Sequence, residues 1–317
     1  MCSMQVSTVF PRYVVLTLLD LIVSLAFASE SNSQQSRTPA PQPASQIRRA
    51  NVTASVKVIT GQPGSVVFIN GVRHGVTSEK GELDLPHVRP GSYPVHVRTT
   101  GYADWNGSIA VASASTRTLK VTQQPTTDEA VLRFQKGESL RDKGKNKESL
   151  EEYKQAIALR SNFPEARIAI ARSLITLQDF QEAEKQVQSA IKLAGRTLVE
   201  AQTVLANLRR AQGLVDESIF EYRKALRLAR GNSFEAHIGL AIALNEQGKV
   251  DEAVKEYRIG IIQDMETEPI LYYQLGEILE KAGRNKEAIE AYRNYLRLDP
   301  EGEYASAVES MIERLKE

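Results

Sequence analysis

Thiols are almost absent from this sequence: Cys2 is the single cysteine in 317 residues. No disulfide framework can form, so whatever folds here is held by its cores. Histidine is scarce as well. His74, His87, His96 and His237 stand apart, with no H-x-H, H-E-x-x-H or C-x-x-C spacing. Zinc takes four nitrogen or sulfur ligands, or three with a water, and no such set is spaced here. Gly144-Lys145 and Gly248-Lys249 lack the preceding strand and the following Ser or Thr of a phosphate-binding loop. Charge of one sign is also missing. The net is +1, and from Asp128 onward 29 Lys and Arg face 33 Asp and Glu, a net of −4. Nucleic-acid affinity rests on cations that neutralise phosphates, so no nucleic-acid partner is expected. These patterns indicate no catalytic residue, no metal and no cofactor, and the chain reads as a non-enzyme.

Only one long apolar run exists. Tyr13 to Ala28 is nearly continuous over 16 residues, follows Arg12, and ends on Ala26-Phe27-Ala28 in the A-x-A pattern. A membrane span needs about 20 residues, and a short run with small residues at its end is the mark of an export leader. Asp20 interrupts it, and a carboxylate at the centre of a spanning helix costs roughly 2.5–3.5 kcal/mol. Residues 1–28 are therefore expected to be a cleaved signal peptide, with an uncleaved N-terminal membrane anchor as the alternative. The expected location is extracytoplasmic, periplasmic or secreted, with no stable membrane span after cleavage. Cys2 falls inside the leader, and an exported chain without disulfides suits a bacterial envelope.

Residues 29–51 are Ser, Gln, Pro and Ala with little that could be buried, and Pro39, Pro41 and Pro43 alternate. This composition predicts a disordered, semi-extended linker. From 52 to 123 the pattern changes to short alternating runs. Val56 and Val58, Val66–Ile69, Leu83 and Leu85, Val95 and Val97, Ile109 and Val111, and Leu119 and Val121 are separated by Asn70-Gly71, Lys80-Gly81, Pro90-Gly91 and Asn106-Gly107. Strands at this spacing predict a small β-sandwich, with a hairpin at Asn70-Gly71. The order Gln62-Pro63-Gly64-Ser65, Val66–Ile69, Asn70-Gly71, Arg89-Pro90-Gly91 and Gly101-Tyr102 resembles the PEGA domain family, although no glutamate stands between proline and glycine. That resemblance implies an envelope-exposed β-module of bacterial origin. Tyr93, Tyr102 and Trp105 are either a glycan-binding patch or part of the module's core.

After a short linker at 124–129, a period of 34 to 35 residues begins. Lys143-Gly144-Lys145, Leu177-Gln178-Asp179, Gln212-Gly213-Leu214, Gln247-Gly248-Lys249 and Ala282-Gly283-Arg284 fall in step. Seven residues before each turn stands a small residue: Gly137, Ala171, Ala206, Ala241 or Gly276. After each turn come Ser149, Ala183, Ser218, Ala253 or Ala288, and then Tyr153, Val187, Tyr222, Tyr257 or Tyr292. Small residues let antiparallel helices cross closely, and the ring fills the space between units. The pattern resembles the tetratricopeptide repeat, a 34-residue helix–turn–helix unit. The resemblance implies an all-α superhelix of five helix pairs over 130–302. Tyr304, Ala307, Val308, Met311, Ile312 and Leu315 then mark a capping helix at 303–317, because a stack of repeats exposes an apolar face at its end. Arg209, where other copies carry leucine, and Tyr295, where others carry a small residue, depart from the pattern.

The concave face of such an array is lined by the first helix of each repeat. Register places Phe134, Glu138, Ile168, Arg172, Asn207, Arg210, Ile238, Ile242, Asn245, Tyr273 and Glu277 along it. The Lys/Asn clamp with which related arrays hold chaperone tails does not carry over, because Phe134, Glu138 and Thr203 stand at its positions. What is left is an apolar groove with amides and guanidinium groups, suited to a peptide or partner protein. Arg172, Asn207 and Arg210 are expected to serve a ligand more than the fold, and Ala241 and Ala253 the reverse. The expected function is an extracytoplasmic protein-interaction scaffold. The alternative is envelope attachment, in which the β-module binds peptidoglycan or another surface polymer and the repeats act as spacer.

Overall fold

The structure, a computed structural model, describes residues 54–316 apart from Ala194 and Arg196. The expected leader at 1–28, the linker at 29–51 and Cys2 lie outside the described residues. The first folded part is all β: β1 (Ala54–Ile59), β2 (Val66–Ile69), β3 (Val72–Val76), β4 (Glu82–Val88), β5 (Gly91–Arg98), β6 (Trp105–Val111) and β7 (Thr116–Lys120). They form two sheets in the orders β4-β1-β7 and β3-β2-β5-β6. Only β1 and β7 pair in parallel; the other pairs are antiparallel. Alternation explains the packing. Val56 and Val58 from one sheet meet Val67, Ile69, Val95, Val97, Ile109 and Val111 from the other, all buried. Asn70 and Gly71 both take positive φ, at 54° and 79°, which the two-residue hairpin between β2 and β3 requires. Tyr93 and Trp105 pack against this core.

Eleven helices follow among the described residues. Five pairs are α1 (Glu129–Asp142) with α2 (Asn146–Leu159), α3 (Pro164–Thr176) with α4 (Phe180–Leu193), α5 (Leu198–Ala211) with α6 (Val215–Leu228), α7 (Phe234–Glu246) with α8 (Val250–Gln263), and α9 (Pro269–Lys281) with α10 (Asn285–Leu298). A shorter α11 (Ala305–Arg314) closes the series and buries Ala305, Val308 and Ile312 against the last pair. Pro164 and Pro269 begin α3 and α9, where a missing N–H leaves no bond unmade. Asp128 caps α1, accepting from the N–H groups of Ala130 and Val131.

Within each pair the crossing is set by the small residues. Ala171, Ala206, Ala241, Ser149, Ala183, Ser218, Ala253 and Ala288 are fully buried, as are Tyr153, Tyr222 and Tyr292. At Gly276 an added Cβ would lie 2.3 Å from a Tyr292 ring carbon, and at Gly137 2.4 Å from Tyr153. The ring therefore occupies the space where a side chain of the partner helix would begin. The two departures have local solutions. Arg209 donates two hydrogen bonds to Glu184 and one to Gln212, which ties α5 to α4 by charge where leucine would tie it by packing. Tyr295 is buried at the end of the array, where its hydroxyl accepts from the Tyr304 N–H and organises the entry to α11.

Four of the five turns place glycine at positive φ, at Gly144, Gly213, Gly248 and Gly283; in the second repeat Gln178 takes φ 62° instead. The hydrogen bonds are the same: Gln178 N donates to Ile175 O and Asp179 N to Leu174 O, as Gly144 N and Lys145 N do to Arg141 O and Leu140 O. A side chain in this region costs about 1–2 kcal/mol, while glycine adds about 0.5–1 kcal/mol of chain entropy on unfolding. Gln178→Gly is thus expected to be neutral to slightly stabilising. Chemical denaturation should show a midpoint that is unchanged or raised. A clear loss of stability would mean that the Gln178 side chain makes a contribution of its own.

Candidate functional site

The first helices α3, α5 and α7 neighbour one another on the inner side of the array, and charge links them in a ladder. Arg172 on α3 donates to Glu200 on α5 and to Glu235 on α7, both at 2.7 Å. Burial alone would lower the Arg172 pKa, but Glu235, Glu200 and Glu138 outweigh it and raise it. Asn207 donates to Glu235 at 3.3 Å and accepts from the Tyr222 hydroxyl at 2.5 Å. Arg210 donates to Glu246 at 2.9 Å. The polar side chains expected to wait for a ligand are therefore already paired with carboxylates 28 to 63 residues away. Each of them thus has a partner within the fold as well as a place on the inner face.

The N-terminal end of the face is also covered. The β-module lies against α1 and reaches the turn between α8 and α9. Arg98 at the end of β5 enters between Phe134 and Glu138. Its guanidinium carbon stands 5.0 Å from the Phe134 ring centroid, and Nη1 donates to Glu138 Oε2 at 2.5 Å. Glu138 in turn accepts from Arg141 at 2.8 Å and from the Tyr153 hydroxyl at 2.6 Å. Burial pushes the Glu138 carboxyl up, but Arg141, Arg98 and the Tyr153 hydroxyl prevail and hold it at about 2. Beside it Gln135 reads backbone: its Oε1 accepts from Gly101 N at 2.9 Å and its Nε2 donates to Tyr102 O at 2.8 Å. At the far end Asn70 Nδ2 donates to Gln263 O at 3.3 Å, Arg89 pairs with Glu266, and Met265 is buried in the core of the β-module.

Three expected groove residues are thus not open to a partner. Phe134 and Glu138 lie beneath Arg98, and Ile168 is 1% exposed because it packs within the array. Ile238, Ile242, Asn245, Tyr273 and Glu277 remain partly exposed on α7 and α9. Tyr273 stacks on Tyr304, with ring centroids 4.7 Å apart, and its hydroxyl faces Glu277 at 3.3 Å. Burial and the Glu277 charge push the Tyr273 phenol up to about 12. No group of three or more metal-ligating side chains occurs among the described residues. Of the residues that build the dock, Arg98, Gln135 and Met265 escaped the sequence reading. Arg98 sits in an alternating strand like any outward polar residue, and Gln135 has no counterpart in the repeat pattern.

The dock rests on a charge pair that is mostly shielded, with Arg98 17% and Glu138 11% exposed. Removing one member of a buried pair costs about 3–5 kcal/mol. Arg98→Met is therefore expected to destabilise by about 3 kcal/mol, and Arg98→Met with Glu138→Leu to recover most of it, read by denaturant unfolding of the full chain. If the single variant unfolds like the parent, the contact holds nothing together.

A second outcome concerns Asp264, beside Met265 in the α8–α9 turn. Its Oδ2 accepts from the N–H groups of Thr267 and Glu268, and its Oδ1 has no hydrogen-bond partner. Burial, and then the Glu268 charge, push its carboxyl up to about 7 from 3.8. A raised carboxyl binds more protons folded than unfolded, so stability is highest below pH 4 on this account and falls as pH rises to about 7. Asp264→Asn is expected to be more stable than the parent at pH 8, with the gap closing toward pH 4. Melting temperatures of the two proteins across that range check it; a gap that does not change with pH would contradict it.

Comparison with known proteins follows the two halves of this structure. The PEGA domain family matches residues 53–127. Tetratricopeptide families match residues 137–174, 203–266 and 269–301. No curated protein matches the chain in sequence. Among solved structures, PilF of Pseudomonas aeruginosa is similar at TM-score 0.51 and 13% identity, over 59% of this chain and 82% of its own. PilW, a type IV pilus biogenesis factor, gives 0.50 and 13%, over 60% and 92%. MamA from Desulfovibrio magneticus gives 0.44 and 17%, over 56% and 98%. These likenesses describe the fold, and none of the matching families is catalytic. The chain is a tetratricopeptide-repeat protein that carries an N-terminal PEGA domain.

Proposed function

We propose that this chain is an extracytoplasmic scaffold that binds a segment of a partner protein along the inner face of α5, α7 and α9. One observation carries the reading: the array already holds polypeptide. On α1, Gln135 pairs with both the N–H of Gly101 and the carbonyl of Tyr102, while Glu138 and Phe134 take the side chain of Arg98. A face that reads backbone with an amide and side chains with a ring and a carboxylate is suited to do the same for a chain in trans. Farther along, the partly exposed Ile238, Ile242 and Asn245 offer apolar surface and an amide on α7. The Tyr13–Ala28 run supports export. No described helix is long and apolar enough to cross a membrane.

Envelope attachment through the β-module remains the second reading. The module's contacts to the helices come from the β2–β3 turn, β3, the β4–β5 turn, and β5 with the loop after it. On β7, at one edge of the β4-β1-β7 sheet, Thr116, Arg117, Thr118 and Lys120 are exposed, and this is the surface that such attachment would use.

Random dodecapeptides displayed on phage, panned against the full chain, separate these readings. Peptides are expected that lose at least tenfold in affinity, about 1.4 kcal/mol, on Ile242→Asp with Asn245→Ala. Phe220→Ser on the outer surface should leave them unchanged. Failure to select any peptide with that dependence, together with sedimentation of the chain on purified peptidoglycan, would replace the scaffold by the attachment reading.

A further inference from the structure

The contact that holds Arg98 occurs at fixed places in the first repeat: a ring at Phe134, a carboxylate four residues on at Glu138, and the ring of Tyr153 behind them. The same three places in the other repeats read Ile168, Arg172, Val187; Thr203, Asn207, Tyr222; Ile238, Ile242, Tyr257; and Tyr273, Glu277, Tyr292. Only the fifth repeat returns the set of the first. The geometry repeats with it. Phe134 and Tyr153 have ring centroids 5.8 Å apart, and Tyr273 and Tyr292 6.2 Å. In both, a third ring at the position preceding the next helix packs on the first, Phe163 at 5.2 Å and Tyr304 at 4.7 Å. Each place is thus a ring backed by two others at matching positions, with a carboxylate beside it; at Tyr273 the Tyr295 ring adds a third, 6.1 Å away.

The two differ in what fills them. Arg98 stands over Phe134 and on Glu138. Among the described residues no cation stands over Tyr273, and none pairs with Glu277, whose carboxylate accepts a neutral hydrogen bond from the Tyr273 hydroxyl at 3.3 Å. The surroundings increase the contrast. In the first repeat Arg141 lies one turn on and neutralises Glu138 from the other side. At that place the fifth repeat has Glu280, which accepts from Tyr292 at 2.9 Å and meets only the exposed Arg314. The site in the fifth repeat therefore holds one more carboxylate and one cation fewer than its filled counterpart.

Resting on the scaffold reading, we infer that Tyr273, Glu277 and Tyr292 form a receptor for one arginine side chain of the partner's bound segment. Arg98 on Phe134 and Glu138 is the template for how it sits. The guanidinium lies over the Tyr273 ring, where the negative face of the ring attracts it. Its N–H groups point at Glu277, whose planar carboxylate matches the guanidinium better than an ammonium. Glu280 adds a longer-range attraction. The partner is then an arginine-bearing extended segment, and a neutral or acidic one is excluded from this end of the face.

The dodecapeptides selected on the full chain test this. Binders are expected to share an arginine, and replacing it with citrulline, which keeps shape and removes charge, should weaken them at least tenfold. Glu277→Gln should weaken the parent peptide as much and leave the citrulline peptide unaffected. Tyr273→Phe, which keeps the ring and matches the first repeat, should retain binding, and Tyr273→Leu should lose it. Melting temperatures within a degree or two of the parent show that the variants fold. Binders that depend on Ile242 and Asn245 but are indifferent to citrulline or to Glu277→Gln overturn the arginine receptor and leave the scaffold standing. The absence of any binder that depends on the inner face overturns both.

Discussion

The constraint on which the helical array depends is the close contact between a tyrosine ring and the backbone of the helix before it. Tyr153, Tyr222 and Tyr292 are buried because the facing residue is glycine or alanine, and no larger side chain leaves room for the ring. A buried tyrosine also carries a hydroxyl that needs a partner. The ring enters from the second helix, so its hydroxyl emerges on the first helix, at the inner face. There it bonds Glu138, Asn207 and Glu280 in turn. Core packing thereby orients the polar groups of the face. The same residue that fixes the helix crossing also fixes where a carboxylate or an amide points.

Once oriented, those groups determine where a ligand can bind. Arg172 and Arg210 close onto Glu200, Glu235 and Glu246, so the charges in the middle of the face are internally paired. The first repeat ends in a carboxylate, Glu138, that a strand of the β-module neutralises with Arg98. The fifth ends in carboxylates with less to balance them. A buried ion pair adds little net stability beyond what well-packed apolar groups would give, but it is costly to leave half-made. The Arg98 pair thus sets one register for the β-module more than it strengthens the fold. Asn70, Arg89 and Met265 fix the other end on the α8–α9 turn.

Much of this was legible in the sequence, for reasons that differ by element. The array repeats, so five copies of one packing solution report on each other, and Gln178 in place of glycine did not hide the turn. The β-module showed itself by alternation and by Asn70-Gly71, both local signals. What was not legible lies in single contacts between distant residues. Arg98 meets Glu138 across 40 positions, and Arg172 meets Glu235 across 63. A charged residue with its partner so far away reads as free. Arg172, Asn207 and Arg210 therefore read from sequence as ligand-binding side chains, and Phe134 and Glu138 as open ones, although Arg98 of the same chain covers the latter two.

The repeat pattern also hid a distinction that matters for function. Packing positions must agree from copy to copy, because each repeat stacks on the next, and the small residues and rings that satisfy this are what a period detects. Inner-face positions are less constrained by the stacking and differ more, from Arg172 to Asn207 to Ile242. Agreement at those positions is therefore informative in a way that agreement in the core is not. Phe134 with Glu138 and Tyr273 with Glu277 agree; the rings also pack on Tyr153 and Tyr292, but no such packing calls for the two carboxylates. The first pair holds an arginine, which gives the second a physical reason for its composition: a ring and a carboxylate at this spacing on a helix form one face for a guanidinium.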